Sequence, residues 1–292
     1  MIYILPALSA VVYAFAAILL KRAIDSGVGP WRTNYVVNTV GVPVFWLLLF
    51  AADRPFHPGV IAPAALAGGS FFVGQIFTFL ALSRGDVSIA TPVLGTKVIF
   101  VAFFTAQILR LPVPPAWWIA AFTTSIGIAL LQSGSVTNRG HVLRTVFYSM
   151  LAALSFSLTD VLVQRDAPKF GAAWFIPVMF TFVALFGQTL ILKFSAPLNA
   201  IPRPAFRVLI AGTLLLAIQA LSMAVAIGLS GQATAVNIIY NSRGLWSICI
   251  IWLIGHHLGS TDTKHESHIM VRRTAGAILI LAAIIIALLF RP

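Results

Sequence analysis

The amino-acid sequence predicts an all-α membrane protein of ten transmembrane helices, arranged as two inverted five-helix repeats. Three observations carry that expectation. Hydrophobic residues make up 60% and charged residues 9% of the 292-residue chain, where soluble domains average roughly 25% charged. Ten apolar runs reach or approach spanning length, which is about 20 residues for a helix. Five spans per half is an odd number, so a second copy of the first half must enter the bilayer from the opposite side, which makes the repeat inverted.

The runs lie near residues 2–20, 34–52, 60–82, 87–109, 115–133, 146–164, 172–192, 206–229, 233–254 and 271–290. The first extends from Ile2 to Leu20 and meets Lys21 and Arg22 at spanning length, which reads as a span and not as a cleaved leader. Turn residues separate the next runs: Gly27, Gly29 and Pro30, then Pro55, Pro58 and Gly59, then Arg84, Gly85 and Asp86, then Pro112, Pro114 and Pro115. The connections leave no room for a soluble domain. The repeats are expected at residues 1–139 and 140–292. Their strongest match aligns Gly85 to Lys97 with Gly231 to Arg243, and Pro43-Val44-Phe45 pairs more loosely with Pro177-Val178-Met179.

The net charge of +12 does not point to a nucleic acid, because most basic residues fall in short connections between apolar runs. Connections one, three, five, seven and nine hold twelve of them: Lys21, Arg22, Arg32, Arg84, Arg139, Arg144, Lys193, Arg203, Arg207, Lys264, Arg272 and Arg273. The other side holds five, namely Arg54, Arg110, Arg165, Lys169 and Arg291. The positive-inside rule then puts the first group in the cytoplasm and both termini outside. Cys249, the single cysteine, has no intramolecular partner. The expected setting is a multi-pass protein of a bacterial inner (plasma) membrane. The bilayer is one partner, and a homodimer is left open.

Two basic residues remain, Lys97 and Arg243, each the only charge in a long apolar run and each at the same place in its half. A cation at a helix centre costs roughly 2.5–3.5 kcal/mol to insert, so a matched pair calls for a use. At about ten residues into its span, each reaches the midplane by a rise of 1.5 Å per residue. On a helical wheel Lys97 shares a face with Phe100, and Arg243 shares one with Tyr240 and Trp246. Such a set suits an organic anion with an apolar or planar body, since arginine offers a planar fork and lysine a point charge. Asn241 and Gln75 are candidate polar contacts, and intramembrane amides serve equally as glue between helices. Pro92 is expected to break the helix one turn before Lys97. Asp160, the only acid well inside an apolar run, is the candidate counter-ion for either cation. The pair therefore reads as a ligand site, as a structural salt bridge, or as side chains snorkelling to water.

Ten spans in two five-span halves, with Leu82-Ser83-Arg84-Gly85-Asp86-Val87-Ser88 leading into Thr91-Pro92-Val93 and Leu229-Ser230-Gly231-Gln232-Ala233-Thr234 in the second half, resemble the drug/metabolite transporter superfamily, in particular its EamA-like family. The resemblance covers the whole chain. It implies that the first four spans of each half line a cavity while the fifth and tenth pack at the periphery. Two positions depart from the family. Leu109-Arg110-Leu111 and Gly255-His256-His257 stand where many members carry a Gly-Glu pair. The small multidrug relatives place a glutamate in the first span, whose polar side chains here are only Tyr3, Ser9 and Tyr13. Basic residues in the fourth and ninth spans are similar instead to the sugar-phosphate antiporters of the superfamily.

The expected function is secondary transport by alternating access of a small organic metabolite, anionic or amino-acid-like, with a sugar-phosphate-like antiporter as the alternative. No phosphate-binding glycine loop is present, so the chain does not hydrolyse ATP by itself. An intramembrane lipid-modifying enzyme, the reading from another class, needs clustered carboxylates or histidines. The seven acidic residues are mostly scattered singly. No catalytic residue, cofactor or metal is expected. The group His256, His257, Asp262, His265, Glu266 and His268 matches no metal-binding spacing and reads as a solvated loop.

Overall fold

A computed structural model describes residues 3–84, 87–131, 142–254 and 267–290, with side chains except at 82–89, 91, 247–248 and 251–270. Regular structure among the described residues is helical. In chain order the α-helices are α1 (Ile4–Ala23), α2 (Pro30–Val40), α3 (Val42–Trp46), α4 (Ile61–Arg84), α5 (Val87–Gly95), α6 (Lys97–Ile108), α7 (Pro115–Leu131), α8 (Val142–Phe170), α9 (Ala172–Gly187), α10 (Arg203–Ser230), α11 (Ala233–Tyr240), α12 (Arg243–Ile254) and α13 (Ser267–Leu289). Short 3₁₀ or π turns extend some of them. Seven helical stretches among the described residues are long and apolar enough to cross a bilayer: Ile4–Val28, Pro30–Ala51, Pro58–Ala81, Val142–Phe170, Ala172–Lys193, Arg203–Ser230 and Val271–Leu289. Together with the composition they mark an integral, multi-pass membrane protein.

The remaining apolar runs are shorter or divided. The fourth breaks at Thr96 and the ninth at Asn241 and Ser242, while the fifth forms the 17-residue α7. The fourth run does not break where the sequence suggested. Helix α5 continues through Pro92 and ends at Gly95. The N–H that proline lacks would have served the carbonyl of residue 88, in the opening turn of α5, where its loss interrupts little. The break instead falls where the Thr96 hydroxyl donates to the Val93 carbonyl at 2.7 Å, drawing on the backbone acceptor that a continuing helix would use.

The chain divides into two compact units, residues 1–72 with 162–231 and residues 73–161 with 232–292, each drawing on both halves of the sequence. In unit 1, α1 packs along α10, where Ser9 Oγ donates to the Gln219 carbonyl at 3.0 Å and Gly212 leaves room for Leu20. Helix α9 receives α3 through stacked Phe45 and Phe180 and through Trp46 Nε1, which donates to Thr181 Oγ1 at 3.1 Å. Gly171, at φ 86°, turns the chain between α8 and α9 in a region that side-chain-bearing residues avoid. Gly231, at φ 62°, closes α10, and its carbonyl accepts from Gln164 Nε2 at 2.7 Å.

In unit 2, α7 and α13 approach backbone to backbone. A Cβ on Gly276 would lie 2.5 Å from the Gly127 carbonyl oxygen, the small-residue contact that lets helices close without a hydrophobic drive between them. Ile128, Leu131 and Ile280 form the buried cluster there, and Gly95 of α5 rests on Ile128. Gly127 thus serves packing within the chain.

Candidate functional site

The polar centre of unit 2 is built on Asp160. Helix α8 runs for 29 residues, so Asp160 stands ten residues before its end at Phe170 and not near its edge. Its Oδ2 accepts from Lys97 Nζ at 2.7 Å and from Asn237 Nδ2 at 2.6 Å. The two charged side chains keep 18% and 14% of their surface exposed, so the pair is close to buried without being sealed. Asn237, 2% exposed, also donates to the Ala233 carbonyl one turn back, which fixes its amide toward Asp160. Ser157, one turn before Asp160, donates to the Lys97 carbonyl at 2.9 Å. The Lys97 ammonium lies 5.9 Å from the centre of the Phe156 ring. One carboxylate therefore ties α6, α8 and α11 together.

The second cation is placed by the other broken helix. Tyr240 closes α11 and Arg243 opens α12, and across the break the guanidinium carbon sits 4.7 Å from the centre of the Tyr240 ring. That is cation–π range. Tyr240 and Asn241 are each 5% exposed, so one aromatic face and one amide are buried beside Arg243. Of the other predicted residues, Phe100 and Gln75 are half-buried and Trp246 is 42% exposed. Every one of these residues belongs to unit 2.

Lys97 and Asp160, predicted as cation and counter-ion, are thus brought into direct contact, while Tyr240 and Arg243 meet across a turn and not along one continuous helical face. Ser157 and Phe156 were not among the candidate site residues, and Asn237 figured only as one of several polar span residues suited to lining a cavity or to gluing helices. A signal for two of them was present: Phe156 and Ser157 are four and three residues before the only acid well inside an apolar run, which puts all three on one face. Nothing local in the sequence marked Asn237 as the partner of Asp160.

Of the other intramembrane amides, Gln219 acts between helices and Asn38 acts within α2. Gln219 Nε2 donates to Ser9 Oγ at 3.2 Å and Asn38 Nδ2 donates to Asn34 Oδ1 at 3.0 Å. His256, His257, Asp262, His265 and Glu266, and the His268 side chain, lie outside the described residues. Among the described residues no group of three His, Cys, Asp or Glu side chains is placed to hold a metal ion.

Residues 1–133 match the model of the EamA-like transporter family. No curated protein matches the chain. A protein of known crystal structure, 16% identical, superposes with a TM-score of 0.75 over 98% of this chain and 96% of its own. At that identity the likeness is one of fold alone.

Proposed function

With residues 1–133 belonging to the EamA-like transporter family, a branch of the drug/metabolite transporter superfamily, we propose that this chain is a secondary transporter of a small organic metabolite, anionic or amino-acid-like. The proposed architecture is ten spans in two inverted repeats, residues 1–139 and 140–292, working by alternating access. Helices α5 with α6, α7, and α11 with α12 supply the three spans beyond the seven long ones. Broken helices are where such folds place their substrate sites, since a free helix end faces the solute.

The observation that carries this reading is a charge count. The interior apolar stretches of unit 2 hold two cations, Lys97 and Arg243, and one carboxylate, Asp160. The centre thus keeps one net positive charge, which a single carboxylate on the solute balances. A dianionic phosphate overshoots it, so the count favours a carboxylate over a sugar phosphate. Arg243, lying over Tyr240, offers its guanidinium fork to that carboxylate. An amino-acid-like solute finds in Asp160 a partner for its ammonium group. Tyr240, Phe100 and Trp246 serve as apolar walls, with Asn241 and Gln75 as polar contacts. In this reading the protein is not an enzyme, requires no cofactor, and works in a bacterial inner (plasma) membrane.

The test is counterflow in proteoliposomes loaded with panels of monocarboxylates, amino acids, phosphate esters and organic cations. Carboxylate or amino-acid exchange is expected, and it is expected to collapse in Arg243→Ala and Lys97→Ala. Wild-type exchange in both variants, each inserted normally, removes the site assignment; a panel that responds only to organic cations removes the substrate class.

A further inference from the structure

The two ends of unit 1 carry different charge. Where α1 finishes and α10 begins, Ala23, Val28, Val36, Ile201, Ala205 and Leu209 form one buried apolar cluster. Lys21 and Arg22 adjoin Ala23, Arg203 and Arg207 flank Ala205, and all four are exposed. They are close in space as well as in pattern. Ser9 meets Gln219 and Leu20 meets Gly212, so the helices run antiparallel and the last turn of α1 lies beside the first turns of α10.

Arg32 belongs to the same end. It is 6% exposed, donates to the Gly27 carbonyl at 2.7 Å and the Pro197 carbonyl at 3.3 Å, and keeps a buried Nε with no partner. The acid of that connection is Asp25 alone. At the opposite end the chain answers its own cations: Arg54 lies 3.8 Å from Asp53, and Arg165 lies 2.8 Å from Asp166. None of Lys21, Arg22, Arg203 or Arg207 forms an ion pair with a described residue.

Helix electrostatics sharpen the contrast. Helix α10 carries Arg203 in its first turn and Arg207 in its second, with no acid in the first turn and no side-chain cap. Cations are the unfavourable sign for that end of a helix. An anion supplied from outside the chain satisfies the arginines and the N–H groups at once. At the depth where an apolar span gives way to water, the anion at hand is a phospholipid headgroup. Phe206, 45% exposed between Arg203 and Arg207, offers an acyl chain an apolar neighbour.

We infer that the α1/α10 end of unit 1 binds the headgroup of an anionic phospholipid, its phosphate held by Arg203 and Arg207 with Lys21 and Arg22 adding charge. The site is independent of the transport reading, because no residue of unit 2 takes part. Native mass spectrometry of the purified full chain titrated with phosphatidylglycerol or phosphatidylcholine tests it. Wild type is expected to prefer phosphatidylglycerol. The Arg203→Gln/Arg207→Gln variant is expected to bind it about thirtyfold more weakly, from about fivefold per cation near an anionic surface. Lys21→Gln/Arg22→Gln, which leaves α10 intact, is expected to weaken it in the same direction, and Arg54→Gln at the opposite end to leave it unchanged. Equal binding of the two lipids by wild type overturns the inference. So does a phosphatidylglycerol preference that survives both double variants, or its complete displacement by millimolar inorganic phosphate, which marks a site for the free ion.

Discussion

Replacing Asp160 with asparagine separates the electrostatic role of this residue from its shape. The amide keeps the volume and an acceptor for Asn237, but it strands the Lys97 ammonium that the carboxylate held at 2.7 Å. Removing one partner of a buried ion pair costs about 3–5 kcal/mol, mostly because the other charge stays behind. The 18% exposure left on the Lys97 side chain lets water share that charge, so the lower end is expected, about 3 kcal/mol. Lys97→Met should cost less, since Asp160 retains the Asn237 amide. A double-mutant cycle with Lys97→Met and Asp160→Asn should return a coupling of about 2 kcal/mol. Equilibrium unfolding in mixed detergent micelles, followed by tryptophan fluorescence, provides the free energies. If Asp160→Asn stays within about 0.5 kcal/mol of wild type, the range of an inconsequential surface change, the pair does not hold unit 2 together and the reasoning fails. The charge-swapped variant Lys97→Asp/Asp160→Lys refines the result. Recovery of stability without recovery of counterflow assigns Lys97 to the solute; recovery of both assigns it to the scaffold.

Gly276→Ala is expected to destabilise by about 1–3 kcal/mol, an overpacking cost, because the new Cβ would fall 2.5 Å from the Gly127 oxygen and 2.9 Å from the Leu131 nitrogen. An unchanged unfolding midpoint would show that α7 and α13 part freely. Thr96→Val keeps the shape but removes the hydroxyl donor to the Val93 carbonyl, for an expected loss of about 1 kcal/mol in the same titration. A more stable variant would mean that the break before Lys97 is set by something other than this bond.

How much of this was readable in advance depends on the range of the interaction concerned. The helices were legible because hydropathy is local: the runs near 172–192 and 206–229 lie within the Ala172–Lys193 and Arg203–Ser230 stretches. The breaks were less so. Pro92 drew attention as the local breaker, yet the helix yields at Thr96, where a hydroxyl competes for a carbonyl and the following residue carries a charge. The Lys97 and Asp160 contact was an open alternative in the sequence, because a lone intramembrane acid must find a cation but two were available. Asn237 was beyond reach for a different reason. Its bond to Asp160 joins residues 77 positions apart, and an amide in an apolar run has many ways to be satisfied.

The location of the two cations bears on what the centre of unit 2 can accept. Lys97 is the first residue of α6 and Arg243 the first of α12, so each side chain is carried by the end of a helix that bears roughly half a positive charge. Helix stability alone selects against a cation there, by about 0.3–1 kcal/mol in exposed settings. Asp160 offsets Lys97 and leaves the count at one positive charge plus two helix termini of the same sign. A solute without a carboxylate adds nothing that relieves this excess. An anion placed against the Arg243 guanidinium fork relieves it directly, which is the reason a carboxylate-bearing solute is the one expected to show exchange in the counterflow assay.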